Sequence, residues 1–128
     1  MGLLDIVEFE RGQKVAGHRG YYLKGLGVLL NQALINFGLA TLYGADYTPV
    51  QPPFFMDADI MHETCQLSDF EENLYKVEGK GSEEGVVSKE KYLIATSEQP
   101  ISAMHRNEWI EPHDLPFRYA GYSTCFRK

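Results

Sequence analysis

Residues 25–45 carry no charge, and their apolar positions recur with a helical period. Leu26, Leu29, Leu30, Ala33, Leu34 and Phe37 form one stripe, and Val28, Ile35, Leu39 and Leu42 form a second on nearly the opposite side. Asn31 with Gly38, and Gln32 with Asn36, separate the two. A helix apolar on two faces has to bury both. The length also suits a membrane span, but that would put Asn31, Gln32 and Asn36 near mid-bilayer, and basic flanks are missing. The pattern predicts a helix with one stripe on a sheet and the other on a second subunit or domain.

The flanking patterns are shorter. Residues 3–15 mix apolar and charged positions and predict a helix, broken at Gly17-His18-Arg19-Gly20 and followed by a short aromatic strand, Tyr21-Tyr22-Leu23. Gly44-Ala45-Asp46 ends the long helix. Residues 47–56 are extended, and Pro49, Pro52 and Pro53 place them at an edge or interface. Asp57 is expected to cap a short helix through about Thr64, with a loop over 66–72 and a strand over 74–77. Residues 79–91 are rich in Gly, Ser, Glu and Lys, as in a solvated hairpin loop or small insertion. Residues 92–95 predict a strand that turns at Thr96-Ser97-Glu98-Gln99-Pro100 into an amphipathic helix through about Trp109. After a loop at 111–114, residues 115–128 alternate aromatic with small or polar positions as a closing strand with Arg127 at its tip. The sum is an α+β domain on a mostly antiparallel sheet with flanking helices.

Composition changes this picture little. A chain of 128 residues is one domain or part of one, and a hydrophobic share of 44% is ordinary. The net charge of −6 argues against a nucleic-acid grip within this segment, which would need clustered Lys and Arg. Cys65 and Cys125 stand far apart in no metal-ligand spacing and are expected as reduced thiols of an intracellular protein. Met1-Gly2-Leu3-Leu4-Asp5 lacks a basic start and meets charge at once, so no secretory signal is expected, and Ile6 stands where N-myristoylation wants Ser or Thr.

Candidate chemistry is concentrated late in the chain. Gly79-Lys80-Gly81-Ser82 fails the spacing of a phosphate loop. Thr96-Ser97-Glu98 sits where an apolar strand opens into a helix, and strand ends aim side chains into clefts. A carboxylate and a hydroxyl there can bind an ammonium and position a small polar ligand; helix capping by Ser or Thr is the alternative, and the two roles are compatible. Arg127, directly behind the aromatic Phe126, is either a structural ion pair or a fork for phosphate or carboxylate. On pattern alone the structural role leads, and Lys128 reads as solvated. His62 and Cys65 share a helical face without further ligands, so no metal site is expected. His18, His105 and His113 read as surface polar residues, and Ser123 lacks a nucleophile-elbow context.

Taken in order, three segments resemble the catalytic domain of the class II aminoacyl-tRNA synthetases, within them the seryl-tRNA synthetase family. The long helix followed by Tyr47-Thr48-Pro49-Val50-Gln51-Pro52-Pro53-Phe54-Phe55-Met56 (about 26–56) is similar to motif 1, whose helix and strand build the dimer interface, with Pro53 at the defining proline. Asp46 stands where that family usually has glycine. Tyr92-Leu93-Ile94-Ala95-Thr96-Ser97-Glu98-Gln99-Pro100 resembles the serine-recognition loop, and residues 117–128 resemble the first strand of motif 2. The 79–91 loop is more like that of eukaryotic cytosolic members.

The resemblance implies a serine–tRNA ligase that uses ATP, with Mg²⁺ bridging its phosphates, to make seryl-adenylate and then charges tRNA(Ser). It implies Arg127 as the catalytic arginine between the serine carboxylate and the α-phosphate, with Thr96, Ser97 and Glu98 as serine-binding residues. ATP contacts fall to Arg127 and Lys128. Val28, Ile35, Leu39, Leu42 and Pro53 are implied at a homodimer interface, and the protein is expected in the cytoplasm with no membrane partner. The chain is then expected to be the early part of the catalytic domain. The tRNA-binding helical arm, the motif 2 glutamate after Lys128 and motif 3 would lie outside it, and residues 1–128 alone would be inactive. The alternatives are a non-catalytic, synthetase-like dimerisation module, or a synthetase of the same class with another amino-acid specificity.

Overall fold

The computed structural model describes residues 4–65, 73–77 and 90–128. The 66–72 loop and nearly all of the 79–91 loop fall outside the described residues. The chain forms two compact units, Met1–Ala45 and Asp46–Lys128.

In the first unit, strand β1 (Val7–Glu8) pairs antiparallel with β2 (Tyr22–Leu23). The expected 3–15 helix is therefore shortened to α1 (Phe9–Ala16). Residues before Phe9 join a ladder instead, with Val7 opposite Leu23 and the Lys24 N–H donating to the Ile6 carbonyl at 3.0 Å. Gly12 makes this packing possible, because a Cβ there would lie 2.3 Å from the Tyr21 Cα. Helix α2 (Leu26–Tyr43) matches the two-stripe pattern. Three of its polar residues bond along the helix: Gln32 Nε2 donates to Asn36 Oδ1 at 2.9 Å, and Thr41 Oγ1 donates to the Phe37 carbonyl at 2.8 Å. Among the described residues, α2 is the one helix long and apolar enough to cross a membrane by length and composition.

In the second unit, β3 is Thr48–Val50, β4 is Phe55–Asp57, α3 is Ala58–Thr64, β5 is Lys76–Val77 and β6 is Lys91–Leu93. A short helix, α4 (Glu98–Ser102), a 3₁₀ turn (Pro112–Asp114) and β7 (Tyr119–Gly121) follow. Among the described residues β6 lies between β4 and β5, antiparallel to both. The expectation of a mostly antiparallel sheet holds only in part: β3 and β7 form a separate two-stranded sheet and run parallel, with Thr48 opposite Tyr119 and Val50 opposite Gly121. A parallel return needs a long crossover, and the chain between these strands supplies one through α3, β6 and α4. Two further expectations are corrected. The amphipathic helix expected to reach Trp109 stops at Ser102, where i→i−3 bonds (Arg106 N–H to the Ala103 carbonyl, Glu108 N–H to the His105 carbonyl) replace the α pattern. Asn107, in left-handed conformation (φ 63°), then turns the chain. Asp57 stands at the start of α3 as expected, but it makes no side-chain cap bond and pairs with Lys91 across the β4–β6 ladder.

Asp46 also adopts a left-handed conformation (φ 63°). That backbone favours glycine, and aspartate is among the few other residues that visit it readily. Asp46 thus holds a backbone conformation that the glycine implied by the resemblance would adopt without strain.

The core of the second unit consists of Met56, Met61, Leu74, Ile94 and Ala95, with Ile60, Cys65, Tyr92 and Ala103 packed against it. A bidentate pair ties α3 to the turn after α4. Arg106 Nε and Nη2 each lie 2.7 Å from a Glu63 carboxylate oxygen, and this bonding holds the Glu63 carboxyl below its ordinary pKa. Ile94 is fully buried and also sits in the backbone ladder, its N–H donating to the Phe54 carbonyl and its own carbonyl accepting from the Phe126 N–H, each at 2.9 Å. Replacing Ile94 by alanine removes buried methyl groups that the surrounding strands cannot close over. The expected loss is about 2–5 kcal/mol of stability in urea denaturation followed by circular dichroism.

Candidate active site

The end of β6 is where backbone and side chains converge. Past Leu93 the strand continues through Ile94 between residues 54 and 126, then opens at Ala95-Thr96 into α4. The closing segment is drawn alongside by Phe126, and further by the Lys128 N–H donating to the Asn73 carbonyl at 3.2 Å. These two bonds bracket Arg127, whose Nε donates to the Ala95 carbonyl at 3.2 Å.

A cavity of about 660 Å³ opens at this point, lined by Thr64, Cys65, Asn73, Leu74, Ala95, Thr96, Glu98, Gln99, Ser102 and Arg127. The predicted Thr96, Glu98 and Arg127 thus share one cavity. Among the described residues no carboxylate pairs with Arg127, and its one side-chain bond uses Nε. The guanidinium is tied through Nε to a backbone carbonyl and, among the described residues, makes no ion pair at the cavity wall. A bidentate cation in that arrangement suits an anionic ligand.

The remaining predicted residues are placed elsewhere. Ser97 is not in the cavity lining; its Oγ shares a hydrogen bond of 2.5 Å with Ser123 Oγ. Capping of α4 is not made either: Ser97 stands at the cap position without a side-chain cap bond, and Thr96 Oγ1 accepts only a long contact (3.5 Å) from the Glu98 N–H. Lys128 is exposed and does not line the cavity. Val28, Ile35, Leu39 and Leu42 lie on α2 of the first unit, with Ile35 and Leu39 half-buried. The other stripe is the more exposed, Leu26, Leu34 and Phe37 being 73%, 62% and 70% accessible. Pro53 is exposed and borders a smaller cavity of about 280 Å³ with Phe55, Ile60, Lys91 and Pro100.

Sequence reasoning missed two features. Gln99 is buried, with both ends of its amide bonded, and Cys65 shares the cavity wall with it. His105 is not a plain surface residue. Its ring stacks on Phe117 (centroids 4.8 Å apart, 8° between planes), with Nδ1 2.7 Å from Glu108 Oε2 and Nε2 2.8 Å from Tyr119 Oη. The signal available was the i, i+2 spacing of Phe117 and Tyr119, which puts both rings on one side of an extended segment.

Residues 75–128 match the family described as tRNA synthetase class II core domain (G, H, P, S and T). The cytoplasmic serine–tRNA ligase of Rattus norvegicus is 59% identical over 98% of the chain, which covers 25% of that protein. Among solved structures, the cytoplasmic serine–tRNA ligase of Naegleria fowleri in complex with AMP superposes with a TM-score of 0.88 at 44% identity, over 99% of this chain and 28% of that one. Seryl-tRNA synthetase from Pyrococcus horikoshii complexed with ATP gives 0.85 at 39% identity, over 99% of this chain and 26% of that one. The fold is that of part of a class II aminoacyl-tRNA synthetase core. Within that class the chain is similar to the serine–tRNA ligases, and it spans about a quarter of the length of the curated relatives it matches.

Gly121 keeps the Ser97–Ser123 contact possible, since a Cβ on it would come within 2.7 Å of both the Ser97 Cβ and the Ile101 Cδ1. Gly121→Ala should therefore displace the 97 loop. The expected outcome is a loss of about 1–3 kcal/mol in denaturant melts, together with shifted amide resonances at Ser97 and Thr96 in NMR.

Proposed function

We propose that the polypeptide carrying this chain is a serine–tRNA ligase, which joins L-serine and ATP into seryl-adenylate with release of pyrophosphate and then transfers the seryl group to tRNA(Ser). The observation that carries this reading is the meeting in one cavity of Thr96, Glu98 and a carbonyl-held Arg127 that pairs with no carboxylate among the described residues. The relatives in complex with AMP and with ATP support a nucleotide there.

The chemistry suits the arrangement. Two anions, the serine carboxylate and the α-phosphate, must approach each other for the adenylate to form. A rigid guanidinium between them lowers their repulsion and stabilises the charge that builds in the in-line transition state. In this proposal Arg127 takes that place. Thr96 and Glu98 bind serine through its hydroxyl and ammonium, which lets the pocket reject alanine, because its polar groups would otherwise stay unpaired. Ser97 shapes the loop through its bond to Ser123, and Lys128 adds positive charge for ATP.

Among the described residues Glu98 is the one carboxylate lining the cavity, and no cluster of three or more His, Cys, Asp or Glu is present to hold a metal. Mg²⁺ therefore fits as a companion of the phosphates, which it usually binds with few protein ligands. A homodimer through α2 and Pro53, a cytoplasmic location and no membrane partner complete the proposal. The two widely apolar faces of α2 support the dimer.

The test is serine-dependent ATP–pyrophosphate exchange by the longest natural reading frame containing these residues. Arg127→Ala is expected to lower the exchange rate by about 10²- to 10³-fold, and residues 1–128 alone are expected to give none. Full exchange by Arg127→Ala would contradict the assignment. No exchange from the longest reading frame would favour the non-catalytic dimerisation module instead.

A further inference from the structure

Gln99 is the one buried polar side chain among the described residues, 8% accessible. Its amide is used at both ends. Oε1 accepts from the Ala95 N–H at 2.9 Å, and Nε2 donates to Cys65 Sγ at 2.6 Å. Ala95 is the residue whose carbonyl accepts from Arg127 Nε. Gln99, Ala95 and Arg127 therefore form one chain of hydrogen bonds, anchored at Cys65, the residue that caps the end of α3.

The geometry explains why a side chain is needed there. Up to Ile94 the strand is bonded to neighbouring backbone on both sides, to Phe54 and to Phe126. At Ala95 the chain leaves the ladder, and its buried N–H has no backbone partner among the described bonds; Gln99 replaces the missing strand. A buried N–H without a partner is costly, so removing the amide should make the Ala95 backbone turn to find one. Such a turn swings the neighbouring carbonyl, and with it the Arg127 guanidinium and the Thr96 side chain. Displacements near 1 Å at a reacting centre cost about 10²-fold in rate.

We propose that Gln99 is a positioning residue for Arg127, acting through the Ala95 backbone without touching substrate. This rests on the reading of the cavity under Proposed function. Its role differs from that of a residue that only stabilises the fold, because its effect depends on the arginine bond to Ala95.

The experiment uses the longest natural reading frame and serine-dependent ATP–pyrophosphate exchange, with thermal melts of each variant. Gln99→Met keeps the volume and removes the amide, whereas Gln99→Glu keeps an acceptor for the Ala95 N–H. Arg127→Lys keeps the charge and removes Nε. Gln99→Met is expected to lower kcat by about 10- to 100-fold, with serine KM changed much less and the melt retained. Gln99→Glu is expected to recover most of that loss, so the comparison stands even where Gln99→Met melts early. In the Arg127→Lys background, Gln99→Met is expected to cost no more than about 3-fold, because the tie it supports is already gone.

Equal losses from Gln99→Met in both backgrounds would overturn the proposal and leave Gln99 a structural residue. Wild-type kcat in Gln99→Met, with Arg127→Ala impaired, would overturn it while leaving the cavity reading intact. Full exchange in Arg127→Ala would remove both.

Discussion

The backbone of Ala95 is the point on which the site depends. Its N–H is held by a buried glutamine amide and its carbonyl holds the arginine, so one residue sets the direction of both. The residue before it, Ile94, is fully buried and bonded on both sides of its backbone. Core packing thus fixes the strand end, and the strand end aims the charged group. The closing segment is drawn in by the same means, since Phe126 bonds to Ile94 and Lys128 to Asn73, with Arg127 between them. An exposed arginine on an unsupported segment would lose rotamer freedom on binding an anion; here part of that ordering precedes the ligand.

Much of this was legible from residue order. The uncharged 25–45 run specified a helix with two apolar faces, and the prolines at 49, 52 and 53 kept the next segment short and at an edge. Thr96-Ser97-Glu98 after a short apolar run marked a strand opening into a helix, which is the mouth of the cavity. What failed depended on contacts distant in sequence. The parallel pairing of β3 with β7 joins residues some seventy positions apart, most of the length of the second unit, and no local pattern encodes its direction. The helix after Glu98 kept its amphipathic period but not its backbone, because tight turns and the left-handed Asn107 intervene. Gln99 reads in sequence as an ordinary first-turn residue, and only folding shows that both ends of its amide are taken.

The two-faced helix poses a different problem. Gln32, Asn36 and Thr41 bond to groups one turn away on the same helix. Its apolar area does need cover, since Leu26, Leu34 and Phe37 stand largely exposed in the chain by itself. The stripe of Val28, Ile35, Leu39 and Leu42 is less exposed than this one. In the proposed dimer, both stripes therefore bear on where the second subunit would sit.

The central claim is that Arg127 is oriented before any ligand arrives. NMR observation of the Arg127 Nε–H in the ligand-free protein, at mildly acidic pH, tests it directly. The account predicts a distinct resonance that exchanges with water more slowly than those of exposed arginines such as Arg11 and Arg19, and that loses this protection in Gln99→Met. An Arg127 Nε–H exchanging as fast as those of Arg11 and Arg19 would contradict it.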